Sequence, residues 1–133
     1  MTDPTPGLRL DGPRARRHRA RLGGAGDRLL VLSHGLGTDQ GAWDALRPWL
    51  EARFRVLSYD LPGAGPLLPE DFDAARYAHL SGFADDLLAL LDEVGVVRCD
   101  LLAHSVSGMV GALAAIEEPS LFGQLVMINP SPR

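Results

Sequence analysis

The chain has 133 residues, about the length of one domain, and its 46% apolar content is ample for a core. A net charge of −4 argues against any general attraction to nucleic acid, and no apolar run reaches membrane-spanning length. The single cysteine, Cys99, excludes a disulfide framework, and Met1-Thr2-Asp3-Pro4-Thr5-Pro6 has no apolar leader, so a reducing, cytoplasmic setting is expected.

Residues 1–16 are rich in Pro, Gly and Arg with no apolar period and read as a mobile arm. Arg14, Arg16, Arg17, Arg19 and Arg21 cluster around His18. Without interleaved aromatics for base stacking, this is a solvated stretch leading into an edge strand near Ala20–Leu22, not a nucleic-acid surface. Leu29–Ser33 is a continuous apolar run, as expected of a parallel strand covered on both faces. The loop His34-Gly35-Leu36-Gly37-Thr38-Asp39-Gln40-Gly41 follows, then a helical stretch over Ala42–Glu51 that Pro48 breaks or restarts. Phe54–Asp60 is the next strand, residues 66–79 an irregular loop, and Phe83, Leu87, Leu90, Leu91 and Val94 mark a helix capped by Ser81 and closed by Gly95. Val96–Ala103 is a strand, Val106–Glu117 a helix stopped by Pro119, and Gln124–Asn129 a last strand. Strand–helix alternation predicts an α/β fold with a mainly parallel sheet flanked by helices.

The chemistry concentrates at Ala103-His104-Ser105-Val106-Ser107-Gly108, between a strand and a helix. Small residues two places either side of a serine are what a nucleophile elbow needs, because bulk there collides across the sharp turn. Ser105 is the candidate nucleophile. Acyl transfer also needs two backbone N–H groups aimed at the developing oxyanion. Val106 N–H, directly after the nucleophile at a helix N-terminus, is one candidate, and Leu36 N–H in the glycine-rich loop is the other. His104 reads as a structural residue of the elbow, His34 as a hydrogen-bonding residue of the loop, His79 as a surface residue, and Asp60 as the residue that fixes the turn after its strand. Cys99 reads as core. The four histidines and the cysteine show no metal-ligand spacing, and Gly63-Ala64-Gly65 is not a dinucleotide fingerprint, so no cofactor is implied.

Four stretches carry a resemblance: His34–Trp43, Tyr59–Gly65, Ala103–Met109 and Leu125–Arg133. On these the chain resembles the α/β-hydrolase superfamily. It is most similar to the group that holds a bacterial stress-signalling hydrolase activating a partner phosphatase, and the plant strigolactone and karrikin receptors. Leu36, where this group usually has an aromatic, and Ala103, where it has Gly, depart from the pattern. The resemblance implies either hydrolysis of a small-molecule ester or lactone, or a receptor-like module that binds a small hydrophobic ligand and a partner protein, with no nucleic acid and no membrane involved.

A serine hydroxyl needs a base, and the base a carboxylate; in this fold they follow the nucleophile as Asp or Glu, then His. After Ser105 the sequence holds only Glu117, Glu118 and no His. Residues 17–133 are therefore expected to form the N-terminal half of an α/β-hydrolase domain, an incomplete fold lacking the lid and last strands. On that reading the chain is inactive alone, being a fragment, the product of a truncated reading frame, or one piece of a split protein that a complementing C-terminal half completes; the alternative is a non-catalytic remnant.

Overall fold

A computed structural model describes residues 7–64 and 73–130. Among these, the sheet has five strands: β1 (Arg21–Gly24), β2 (Leu29–Ser33), β3 (Arg55–Tyr59), β4 (Cys99–His104) and β5 (Phe122–Ile128). Their spatial order is β1-β3-β2-β4-β5; β1 is antiparallel to β3 and every other pair is parallel. The helices are α1 (Pro13–Arg17), α2 (Arg47–Glu51), α3 (Leu80–Val94) and α4 (Val106–Glu117). None is long and apolar enough to cross a membrane.

The central strands are unbroken apolar runs because both faces are covered. Alternation sends Val31, Leu57, Leu101 and Ala103 to one face, where they meet Leu87, Leu90 and Leu91 of α3 and Val110 and Ala114 of α4. Leu30, Leu32 and Val56 go to the other face and meet Trp43 and Leu50. Each fully buried leucine contributes about 1.5–3 kcal/mol relative to exposure. α4 lies close to the sheet because Gly111 faces it: a Cβ there would stand 2.5 Å from Leu101 Cδ2 and 3.1 Å from Leu125 Cδ1.

Several boundaries differ from those expected. The stretch 42–51 is not one helix: a 3-10 turn covers Gln40–Trp43, and α2 begins with Pro48 in its first turn, where a missing N–H costs nothing. Ser81 lies inside α3; His79 is its N-cap and makes no side-chain capping bond. Gly95 ends α3 at φ 94°, as expected. The 66–79 stretch holds a 3-10 turn over Arg76–Ala78, and residues 65–72 lie outside the described residues, as do 1–6 and 131–133. β5 starts at Phe122, two residues before expectation, with an irregularity opposite Asp100. There the Asp100 carboxylate accepts Gln124 N–H at 2.9 Å and pairs with Arg28 at 2.6 Å. From Leu101↔Leu125 to His104↔Ile128 the register is regular.

The expectation of a mobile arm meets a different picture over residues 7–16. Arg9 N–H donates to Val94 O at 2.9 Å, Ala15 is buried, and the Glu93 carboxylate accepts from Arg14 N–H (3.1 Å) and Ala15 N–H (2.9 Å). A side chain of α3 thus caps α1 from a distance, doing what a local N-cap residue would do. Arg14, Arg16, Arg17, Arg19 and Arg21 are exposed, as expected, while His18 among them is buried. Replacing Glu93 with Ala should lower stability by about 1 kcal/mol in urea denaturation. It should also accelerate tryptic cleavage within Arg14–Arg17 several-fold; unchanged cleavage rates would mean that α1 is not held by this cap.

Candidate active site

β2 and β4 run in parallel with Ser33 opposite Ala103, so the loops that leave them start at the same level. His34 then lies level with His104 and Gly35 level with Ser105. Ser105 reverses the chain in one residue, at φ 59° and ψ −128°, between the last residue of β4 and the first of α4. A non-glycine residue at such a conformation stores on the order of 1–3 kcal/mol and persists only where the surroundings fix it. They do: Ser105 N–H donates to Ile128 O at 2.9 Å, and Ser105 O accepts from Gly108 N–H at 2.9 Å. Val106 opens α4, so its N–H has no partner within the helix and lies beside Ser105.

The facing loop approaches as closely as atoms allow. A Cβ on Gly35 would stand 2.8 Å from His104 Nδ1 and 3.3 Å from Ser105 Cβ, so any larger residue requires the His104 ring to shift. His34 is buried and braces the loop. Its Nε2 accepts Leu61 N–H at 2.8 Å, which leaves Nδ1 as the protonated nitrogen, donating to Gly35 O at 2.8 Å. Thr38 Oγ1 donates to the same carbonyl at 2.8 Å. Leu36 and Gly37 form the exposed crest, with Gly37 at φ 81°. The Ser107 hydroxyl, which the elbow pattern values only for its size, donates to His34 O and ties α4 to the loop.

A second layer holds the loop's far end, and sequence reasoning missed most of it. Asp60, expected to fix its own turn, instead accepts Gln40 N–H through Oδ1 at 3.0 Å. The Gln40 side chain donates to Arg19 O (2.9 Å) and accepts from Ser58 Oγ (2.6 Å). Ser58 in turn accepts from the buried Arg47, which pairs with Glu51. Behind Asp60, His18 Nδ1–H donates to the Asp60 carbonyl at 2.9 Å and Asp60 N–H returns a bond to His18 O at 2.7 Å. Burial pushes the His18 pKa down; the bond to Asp60 opposes this.

Three of the remaining residues lie where expected. His79 is exposed at the start of α3. Cys99 is buried, and burial pushes its thiol up to about 12. His104 turns to the α2 side of the sheet, where with His34, Trp43, Leu46 and Ile128 it lines a cavity of about 190 Å³. A larger cavity of about 540 Å³ flanks the other side of the loop, between Leu36–Asp39 and Leu61–Ala64. Ser105 lines neither. Among the described residues no histidine hydrogen-bonds to Ser105.

A strained serine between a parallel strand and a helix, faced by a glycine loop from the neighbouring strand, defines a hydrolase-type α/β architecture. The family model for the alpha/beta hydrolase family matches residues 30–133, and the chain belongs to that family. It is 50% identical over 117 residues to a probable esterase of Oryza sativa subsp. japonica, a match covering 87% of this chain and 43% of the relative. It is 49% identical over 110 residues to "Karrikin insensitive 2 receptor IA" of Petunia hybrida, covering 83% and 40%. Among solved structures, a hydrolase from Oleispira antarctica superimposes with TM-score 0.85 at 32% identity, over 90% of this chain and 44% of that one. The chain thus spans about two fifths of the length of the relatives it matches.

Two outcomes follow from these contacts. Ser107→Ala leaves the buried His34 carbonyl without its partner and should cost about 1–3 kcal/mol in chemical denaturation; Ser107→Ala at wild-type stability would refute the brace. His18 binds its proton less readily folded than unfolded, so its contribution is present above the unfolded value of 6.5 and is lost as pH falls below it. Denaturation curves between pH 7.5 and 5 should show stability falling more gently in His18→Gln than in wild type.

Proposed function

We propose that Ser105 is the nucleophile of a serine hydrolase acting on the ester or lactone of a small molecule, within a domain of which residues 17–133 are the N-terminal half. The observation that carries this reading is the Ser105 backbone conformation, φ 59° and ψ −128°, held at the end of β4 against Gly35. In the reaction Ser105 Oγ attacks the carbonyl carbon and loses its proton to a base. The carbonyl oxygen becomes an oxyanion facing Leu36 N–H and Val106 N–H. Its collapse expels the alcohol, which takes the proton back and leaves an acyl-Ser105 for water to cleave. The base and its carboxylate come from outside residues 1–133, in the same polypeptide or in a complementing C-terminal half. The setting is the cytoplasm.

A second reading is favoured by names among the relatives, which include "Karrikin insensitive 2 receptor IA" and a strigolactone esterase of Arabidopsis thaliana, the latter 46% identical over 113 residues. On it the same elbow serves a receptor-like module that binds a small hydrophobic ligand and acts on a partner protein, such as a signalling phosphatase. The third, a non-catalytic remnant, predicts no reactivity at all.

A fluorophosphonate probe tests the reading on the chain itself. Slow, stoichiometric labelling is expected, located at Ser105 by peptide mass spectrometry and abolished in Ser105→Ala, with no multiple-turnover ester hydrolysis. Absence of labelling at Ser105 favours the remnant. Sustained turnover by the pure chain, lost in Ser105→Ala, would overturn the claim that the base lies elsewhere.

A further inference from the structure

A cavity of about 460 Å³ opens between α1 and the start of α3, beside the residue that follows β3, with β2 and β4 standing between it and β5. Its size lies within the roughly 300–1,000 Å³ of small-molecule sites. The guanidiniums of Arg14, Arg17 and Arg76 line it against two carboxylates, Asp73 and Asp86. Both carboxylates are engaged. Asp86 Oδ1 pairs with Arg76 at 2.5 Å, and its Oδ2 accepts the Tyr77 hydroxyl. Asp73 Oδ1 accepts Ala75 N–H and Arg76 N–H, both at 3.1 Å. Arg14 spends its main-chain N–H on Glu93, and its guanidinium has no hydrogen bond or ion pair among the described residues.

One wall of the cavity carries a second, independent observation. His18 is 4% exposed and lines the space. Its Nδ1–H is spent on the Asp60 carbonyl, so Nε2, at the other edge of the ring, is an acceptor, and among the described residues nothing donates to it. Burial lowers the His18 pKa and keeps Nε2 unprotonated at neutral pH. The charges that act on the ring are Arg17 on α1, Asp86 on α3 and Asp60 after β3, and Tyr59 meets it edge-on. An occupant of this cavity must therefore bring negative charge for the guanidiniums and a proton for Nε2. A phosphate group does both: its second pKa is about 6, so at neutral pH it still has a proton to share with the ring, and its oxygens match the guanidinium fork. Sulfate and carboxylate are fully ionised there and offer no such proton.

We propose that the cavity between α1 and α3 binds a small molecule through its phosphate group, with Arg14 and Arg17 on the phosphate oxygens and His18 Nε2 sharing the phosphate proton. The site is separate from Ser105 and independent of its role.

Nuclear magnetic resonance titrations of the isotopically labelled chain at pH 7 and constant ionic strength test this, with inorganic phosphate, glycerol 3-phosphate and sulfate as probes. Phosphate should shift the Arg14, Arg17 and His18 signals along a saturating curve and bind several-fold more tightly than sulfate. Tighter binding of glycerol 3-phosphate than of phosphate identifies an organic phosphate as the occupant; equal binding identifies free phosphate. Arg14→Ala should weaken both phosphates several-fold. His18→Asn keeps a donor for the Asp60 carbonyl and lacks Nε2, so it should bind phosphate no better than sulfate. Should His18→Asn fail to fold, the wild-type ring decides: its Nε2 resonance should move with phosphate and not with sulfate. Shifts that do not saturate, sulfate bound as tightly as phosphate by wild type, folded Arg14→Ala with wild-type affinity, or an Nε2 resonance that ignores phosphate would each overturn the proposal.

Discussion

The constraint on which the site depends is the level at which two parallel strands end. Because Ser33 pairs with Ala103, the chain leaves β2 and β4 at the same height, and the first residues beyond them compete for one volume. One competitor is a serine that must keep its side chain. The other must therefore give up its own, and Gly35 does: with a Cβ it would meet His104 and Ser105 at 2.8 and 3.3 Å. The third participant is the end of β5, whose Ile128 carbonyl receives Ser105 N–H. The unusual dihedral angles of Ser105 result from this crowding. An ordinary conformation would withdraw the residue from the edge of the sheet.

Close approach alone does not fix a loop, and here polar braces complete it. His34 is tied on three sides: its ring receives Leu61 N–H, its other nitrogen donates to Gly35 O, and its own carbonyl receives the Ser107 hydroxyl. Each such bond is worth only about 0.5–1.5 kcal/mol net, but leaving one of these buried groups unpaired costs more. Alternatives to the observed loop are thereby penalised more than the loop itself is rewarded. The line from Glu51 through Arg47, Ser58 and Gln40 to Asp60 applies the same logic at the loop's far end, with a carboxylate at each terminus and the Arg47 guanidinium between them. Arg47 is tolerated in the interior because its guanidinium meets Glu51, Ser58 and two backbone carbonyls.

What the sequence discloses follows from the range of the forces involved. The strands and α3 were legible because a repeated apolar pattern is a local signal of what each element buries. The elbow and the glycine loop were legible because steric crowding restricts residue size at fixed offsets. α1 was not: Pro13-Arg14-Ala15-Arg16-Arg17 has one apolar residue, and its cap, Glu93, lies 78 positions from Ala15. Nor was the split of the 42–51 stretch, since Pro48 is compatible with either breaking or starting a helix, and the bonds that anchor Gln40 at the start of the 3-10 turn come from Ser58, Asp60 and Arg19. Ser107 was read for size when its hydroxyl also matters, and Arg47 was read as part of an ordinary helix when it is the buried hub of a polar line. Each miss concerns a bond whose partner is distant in sequence.

The two departures from the family pattern can be judged on the same footing. Leu36 stands where the group the chain resembles usually has an aromatic, and its side chain is 62% exposed at the crest of the loop. The substitution changes the side chain presented at the crest and leaves the loop backbone held by the bonds to Gly35 O. Ala103 replaces glycine, and its methyl group is fully buried in the core shared with α3 and α4, on the face of β4 away from His104. A Cβ there packs against leucines and does not obstruct the turn, whereas on Gly35, one strand away, it would press on the His104 ring at 2.8 Å and crowd Ser105 Cβ at 3.3 Å. The small residue most closely pressed by this elbow is therefore the glycine on the facing loop, outside the five-residue pattern by which elbows are recognised.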